Sequence, residues 1–380
     1  MKHFLVYGLS NNWGGVEAIV MGMIERLASD YEFTIIHSQE SSSYESKYES
    51  DYVHFVNIPT WGADRKGFAA SLKTILSERS FDYVWVNGCI MANRTIISVV
   101  RKYSTARIIT HSHGSSFEES NKLKRFVLLS LHRMNKRYYL KNVDFPCMCS
   151  VKSGKWFYGD RYLNHHEVHY VKNGVDVLKY RFNPLVRKEY RERLGITDEF
   201  LLFHAGRLTE VKNQRKILSI VADALGGGMN VRFVIAGEGE LRQDLEEYAN
   251  ELGIHDRVIF LGNRNDVANL YQAADVMLLP SFHEGFPVTL AEAQSSGLPC
   301  LVSDRVSSET NLIGLVQFLS IDNADNSAWV AALRDIYSTN NDRGIAYKKV
   351  SKAGYSIDSV CRDFMDFIQK NDSSNDKENC

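Results

Sequence analysis

The chain of 380 residues contains no run of 18 or more apolar residues, which excludes an obvious transmembrane helix. It has only six cysteines, Cys89, Cys147, Cys149, Cys300, Cys361 and Cys380, and no CxxC pair. A disulfide scaffold and a zinc ribbon are therefore both unsupported. Excess charge of either sign is absent as well: 45 Lys and Arg stand against 46 Asp and Glu, a net charge of −1. Without an overall positive field, a general nucleic-acid binder is excluded as the expectation. No Asp-x-Asp pair occurs anywhere, so no divalent-metal site is signalled and none is expected. The opening Lys2 to Gly8 is too short for a signal-peptide core and reads as a first β-strand. What is present is a 44% apolar fraction, enough for sizeable cores, over a length suited to two or three domains. The expectation is a cytoplasmic, multi-domain α/β chain.

Short β-branched and aromatic runs alternate with amphipathic stretches. Strands are predicted at His3–Gly8, Phe33–Ile36, Val53–Ile58, Tyr83–Val86 and Arg107–Thr110, with a helix from Glu17 to Leu27. The rhythm restarts at Phe200–Ala205 and continues through Val231–Ala236, Val258–Leu261, Val276–Leu279 and Pro299–Val302. Apolar runs separated by helices indicate parallel sheets covered on both faces. Two successive sets indicate two doubly wound domains, 1–172 and 173–356, joined near Asn173-Gly174. Residues 371–380 are polar, lack apolar periodicity and read as a flexible tail.

Four segments could carry chemistry. The first is Ser281 to Ala293, directly after a predicted strand, where open α/β sheets bind ligands. Gly285 and Phe286 precede Pro287, which suits a first helical turn. The amides of Val288, Thr289 and Leu290 would then lack intrahelical partners and offer an anion site. Glu284 and Glu292 could accept hydrogen bonds from adjacent sugar hydroxyls. The competing reading makes Glu292 a solvated helix residue and Glu284 a partner of the helix dipole. Spacing alone does not choose between them.

The second is Gly206-Arg207-Leu208-Thr209-Glu210-Val211-Lys212, whose Arg207 and Lys212 could clamp a diphosphate with the nearby helix start. Two cations in one loop are also common on surfaces. The third is Gly14-Gly15-Val16-Glu17, two glycines opening a helix after the first strand; by itself the pair could serve only a local turn. The run Gly237-Glu238-Gly239 superficially resembles a dinucleotide fingerprint, but Arg242 occupies its third glycine position, against NAD binding. The fourth is Thr110-His111-Ser112-His113-Gly114 at a strand end. A histidine there could polarise a sugar hydroxyl, or could simply be hydrogen-bonded structure. Alternation along an extended chain need not bring both rings to one site.

Taken in order, Gly14-Gly15-Val16-Glu17, Asn173-Gly174-Val175-Asp176, Gly206-Arg207…Lys212 and Glu284-x7-Glu292 with Gly285-Phe286-Pro287 resemble a family-4 retaining glycosyltransferase of the GT-B type. Thr110–His113 and Cys149–Gly159 are similar to a bacterial capsule and exopolysaccharide branch. The resemblance covers nearly the whole chain and departs at Lys172, where proline commonly precedes Asn-Gly. It implies two Rossmann-like domains facing a central cleft, with a last helix at about 357–370 crossing back onto the first. It implies that Arg207 and Lys212 bind the donor diphosphate, Glu284 the transferred sugar, and Glu292 the ribose hydroxyls. Backbone from Gly285 through Phe286, Pro287, Val288 and Thr289 to Leu290 would cradle sugar and phosphate. Asn263 and Arg264 would lie near the base, and Gly14 and Gly15 would close over the donor. His111 matches the family's active-site histidine better than His113.

No cofactor is implied beyond a nucleotide-sugar co-substrate, with a UDP-sugar favoured over a GDP-sugar. The implied acceptor is a glycan, lipid-linked in polysaccharide assembly. Alternatives are a sugar-nucleotide 2-epimerase of the same fold and a non-catalytic sugar-nucleotide-binding subunit. From Asn121 to Val143 the chain carries Lys122, Lys124, Arg125, Arg133, Lys136, Arg137 and Lys141 with no acidic residue. Leu123, Val127, Leu131, Met134 and Tyr138 recur there at helical spacing. The simpler expectation packs this stripe inward. The other is that the basic face meets anionic lipid on the inner face of the plasma membrane.

Overall fold

The structure is a computed structural model. It describes all residues except Asn12, 39–41, 115–116, 118–120, 323–324, 340–341 and 379–380, and describes 373–378 by backbone alone. The chain divides into two compact units, Met1–Asn173 with Ile357–Cys380, and Gly174–Ser356.

The first unit holds β1 (Lys2–Tyr7), β2 (Tyr31–Ser38), β3 (Val53–Ile58), β4 (Tyr83–Gly88), β5 (Arg107–Ser112), β6 (Phe145–Met148) and β7 (His169–Tyr170). All pair in parallel, in the order β3-β2-β1-β4-β5-β6-β7. The second holds β8 (Phe200–Ala205), β9 (Val231–Ala236), β10 (Val258–Phe260), β11 (Val276–Leu279), β12 (Cys300–Ser303) and β13 (Val316–Leu319), also parallel, in the order β10-β9-β8-β11-β12-β13. Every residue of β8 is buried because both faces of its sheet are covered. Leu201, Phe203 and Ala205 join Tyr271, Phe286 and Leu290 on one face, while Phe200 and Leu202 join Ile217 and Trp329 on the other. Strand alternation thus splits one apolar run between two cores.

Strands β6, β7 and β13 were absent from the sequence expectation for a physical reason. β6 contains Pro146, β7 has two residues, and β13 exposes Gln317 in its middle, so none shows a sustained apolar run. At the other terminus, polarity from residue 371 predicts a tail, yet the helix Ile357–Glu378 continues well past that point. Its apolar side packs within the first unit, with Phe364 against Trp85 and Phe367 against Phe145 at ring-centroid distances of 5.0 and 6.0 Å. Asp372 pairs with Lys2 at 3.1 Å and Arg107 at 3.2 Å, and Tyr83 donates to it. A residue that looks like solvated tail is therefore a tether.

The helix Lys122–Lys141 departs further from expectation. Leu123, Val127 and Met134 are exposed rather than packed inward. Its docking face is polar: Asn135 donates to the carbonyls of Met91 and Ala92 at 3.0 and 2.8 Å, and His132 Nδ1 accepts the Met91 amide at 3.0 Å. The loop it covers turns the Met91 amide and the Met91 and Ala92 carbonyls toward the helix, so polar side chains meet it better than leucine would.

Burial shapes the titration of several histidines. His37, His132 and His204 are pushed down to about 4, His113 to about 3, and His111 well below its ordinary value, in each case chiefly by burial. These rings are neutral in the fold and take up protons on unfolding below their ordinary value near 6.5. Stability should therefore be fully present above about pH 6.5 and be lost as pH falls toward 4, by at most about 1.4 kcal/mol per pH unit per histidine. Four of the five lie in the first unit, so hydrogen exchange at pH 5 should loosen β1–β5 before β8–β12. Equal protection of both sheets at pH 5 and pH 7.5 would refute this.

Candidate active site

In the second unit, β8 and β11 lie side by side and their following loops are stitched together. Asn213, held at φ 53°, donates its side-chain amide to the Pro280 carbonyl at 3.1 Å, and the Phe282 amide donates to Val211 at 2.9 Å. These bonds bring the Lys212 ammonium onto the Glu284 carboxylate, which also accepts from Ser281 Oγ at 3.2 Å. The two side chains are 19% and 17% exposed, so the pair is largely desolvated yet still reachable. Arg207, on the same loop, is exposed, and its carbonyl accepts from Gln214 Nε2 at 2.7 Å. Beneath the loop, His204 Nδ1 donates to the Leu278 carbonyl at 2.9 Å.

Gly237 and Gly239 have a packing role here. A Cβ on Gly237, at φ 143°, would sit 2.0 Å from the Gly206 carbonyl oxygen, and one on Gly239 would sit 2.2 Å from that of Leu208. The apparent dinucleotide fingerprint is where one loop passes directly over another.

Pro287 proves to be the N-cap of the helix Val288–Ser295 rather than a residue of its first turn. The Leu290 amide bonds the Pro287 carbonyl at 3.1 Å, so this amide is not open to a ligand as expected. Val288 and Thr289 supply the amides without protein partners among the described residues, and Gly285 is half-buried beside Glu284. Phe286 is buried and stacks on Tyr355 at 5.1 Å, while the Leu290 side chain is core. These two side chains hold the loop.

Glu292 is half-buried and held from both sides. Tyr180 donates to its Oε1 at 2.7 Å and Tyr271 to its Oε2 at 2.9 Å. Burial pushes its carboxyl upward, opposed by both hydroxyls, and burial raises both phenols well above their usual value. After β10, Asn263 and Arg264 are exposed. Arg264 is held in a two-pronged grip by Asp266 at 2.8 and 2.7 Å, and Asp266 also accepts from Tyr190 at 2.9 Å.

In the first unit, Gly14 caps the helix Gly15–Leu27, and no atom lies within 4 Å of a Cβ built on Gly15. Glu17 folds back so that its Oε1 accepts the Ser10 amide at 2.7 Å. His111 requires a correction. β5 runs on to Ser112, placing His111 inside the sheet opposite Asn87, fully buried beside Trp85. A ring without solvent access cannot touch a substrate in this arrangement. His113 is half-buried and donates Nε2–H to Asn87 Oδ1 at 2.9 Å. The strand ends between the two, so their rings do come together, with centroids 4.0 Å apart.

The sequence reading gives no role to Tyr180, Tyr271, Asn213 and Asn87, and none of its own to Ser281 at the head of the segment it singles out. Only two carry a signal there: Ser281 within that segment and Asn213 next to Lys212.

Residues 186–356 match the family model described as Glycosyl transferases group 1. EpsF of Bacillus subtilis (strain 168) is 27% identical over 316 residues, 82% of this chain and 81% of its own. The Escherichia coli UDP-Gal:alpha-D-GlcNAc-diphosphoundecaprenol alpha-1,3-galactosyltransferase is 36% identical over 149 residues, 38% of each chain. Among solved structures, Anabaena HepE in complex with UDP-glucose superposes with a TM-score of 0.77 at 17% identity, over 97% of this chain and 100% of that one. Family model, long relative and paired parallel sheets agree: residues 186–356 form a group 1 glycosyltransferase module in a chain of the GT-B fold.

Proposed function

We propose that the protein is a retaining, metal-independent glycosyltransferase that moves a hexose from a nucleotide sugar to a lipid-linked glycan acceptor in cell-surface polysaccharide assembly. The observation that carries this reading is the reachable Lys212–Glu284 pair beside exposed Arg207 and the helix start at Val288. The donor's diphosphate competes with Glu284 for Lys212, and Arg207 grips it from the same loop. Glu284, released, accepts hydrogen bonds from sugar hydroxyls, while Glu292 accepts those of the ribose. Asn263 and Arg264 lie toward the base. A UDP-sugar is favoured as donor; HepE was solved with UDP-glucose, and the E. coli relative is named for UDP-Gal and a diphosphoundecaprenol acceptor.

In the proposed reaction the bond from the anomeric carbon to phosphate oxygen breaks, its electron pair staying on the diphosphate. The acceptor hydroxyl oxygen bonds that carbon on the same face, and its proton passes to the departing phosphate oxygen. Cations and amides aimed at the diphosphate stabilise the charge that grows there. A 2-epimerase would consume donor without acceptor, and a binding subunit would consume none. Thermal shift against a panel of nucleotide sugars tests the donor class: at about 100 times its dissociation constant a ligand adds roughly 2.7 kcal/mol. A panel without any stabilising member would overturn the proposal.

The tyrosine clamp gives a finer test. Tyr180→Phe removes one hydrogen bond to a half-buried carboxylate, an interaction of about 1.5–3 kcal/mol. KM for the nucleotide sugar should rise about tenfold or more with kcat little changed. An unchanged KM would remove Glu292 from nucleotide binding.

A further inference from the structure

We infer that the exposed face of the helix Lys122–Lys141 docks on an anionic lipid bilayer. Leu123, Phe126, Val127 and Met134 are 73%, 68%, 45% and 75% exposed, an unusual density of large apolar side chains in water. At 3.6 residues per turn, Leu123, Val127 and Met134 fall within about 40° of one another, with Phe126 to one side. Lys122, Arg133 and Arg137 flank Phe126, and Lys124, Arg125 and Lys141 are exposed at the two ends. Lys136 alone of the seven cations turns inward, donating to the Trp156 carbonyl at 3.4 Å. No acidic residue interrupts Asn121 to Val143. The opposite face is committed, since His132, Asn135 and Tyr139 bury against the first unit.

An apolar strip bordered by cations matches a surface with acyl chains beneath anionic headgroups. A second copy seated on this face would set its cations against the same cations, which disfavours self-association there. Among the described residues no helix is long and apolar enough to cross a membrane, so the fit is to the interface plane. Such docking would hold the enzyme where a lipid-linked acceptor resides. That consequence rests on the proposed function; the docking does not.

The test uses the full chain with phosphatidylcholine vesicles, with and without phosphatidylglycerol, at low and high salt. Binding should require phosphatidylglycerol and fall with salt. Each exposed cation near the surface strengthens binding by about fivefold, so replacing Lys124, Arg125, Arg133 and Arg137 together by glutamine should weaken it by about a hundredfold or more. Phe126→Ser with Met134→Ser should weaken it separately and leave its salt dependence. Wild type ignoring anionic vesicles at low salt, or either variant binding as wild type does, overturns the inference. So does a wild-type dimer that Phe126→Ser dissociates. Nucleotide-sugar thermal shift on the same samples separates the two ideas. Stabilisation without vesicle binding sinks only the surface, and vesicle binding without stabilisation sinks only the donor reading.

Discussion

Glu284→Gln should leave a folded protein that binds nucleoside diphosphate at least as tightly as wild type, yet transfers sugar about 10²–10³ times more slowly. Glu284 and Lys212 are each other's counter-ion, with both side chains mostly withdrawn from water. A donor diphosphate must displace the carboxylate from the ammonium, so neutralising the carboxylate lowers the competition and favours the nucleotide. The same change removes the charged acceptor proposed to orient the sugar hydroxyls, and its loss is felt in the transition state. Glutamine keeps the shape and can still accept from Ser281, so the loop after β11 should hold its course. Calorimetry with UDP together with single-turnover transfer distinguishes the two effects. Near-normal transfer by the folded variant would take Glu284 out of the donor site.

Removing the cations should give a different signature. Lys212→Ala and Arg207→Ala are each expected to weaken nucleotide-sugar binding and to slow transfer by about 10²–10³, by analogy with deleting one oxyanion-stabilising donor. Lys212→Ala carries an added cost, because it strands the mostly buried Glu284 carboxylate without its ion pair. The double change Lys212→Ala with Glu284→Gln should therefore recover stability relative to Lys212→Ala alone, while transfer stays low. Arg207 is exposed and its backbone is held independently by Gln214, so its replacement should leave the melting temperature nearly unchanged. Since these protein cations carry the charge neutralisation in the proposed scheme, a chelator should leave the wild-type rate unaltered. A strict need for added Mg²⁺ or Mn²⁺ would contradict it.

Much of this architecture was legible in the chain itself. Strands such as Phe200–Ala205 and Val276–Leu279 are unbroken apolar runs, because a parallel strand between two helical layers has no solvent side. The loops after those strands could be located for the same reason, and with them Arg207, Lys212 and Glu284. Pairings were beyond the sequence. Lys212 and Glu284 are 72 residues apart, and Tyr180 and Glu292 are 112 apart. No local pattern encodes a meeting that depends on which strands become neighbours in the sheet. Faces were also undecided: a stripe such as Leu123–Val127–Met134 is identical in sequence whether it packs or protrudes. Here the loop at Met91 and Ala92 turns backbone carbonyls toward the helix, and Asn135 donates to both. His111 and His113 differ in access only because β5 extends to Ser112. Periodicity names the elements because it is a property of one segment; partner and exposure belong to the surface that segment meets, which exists only once the chain has folded.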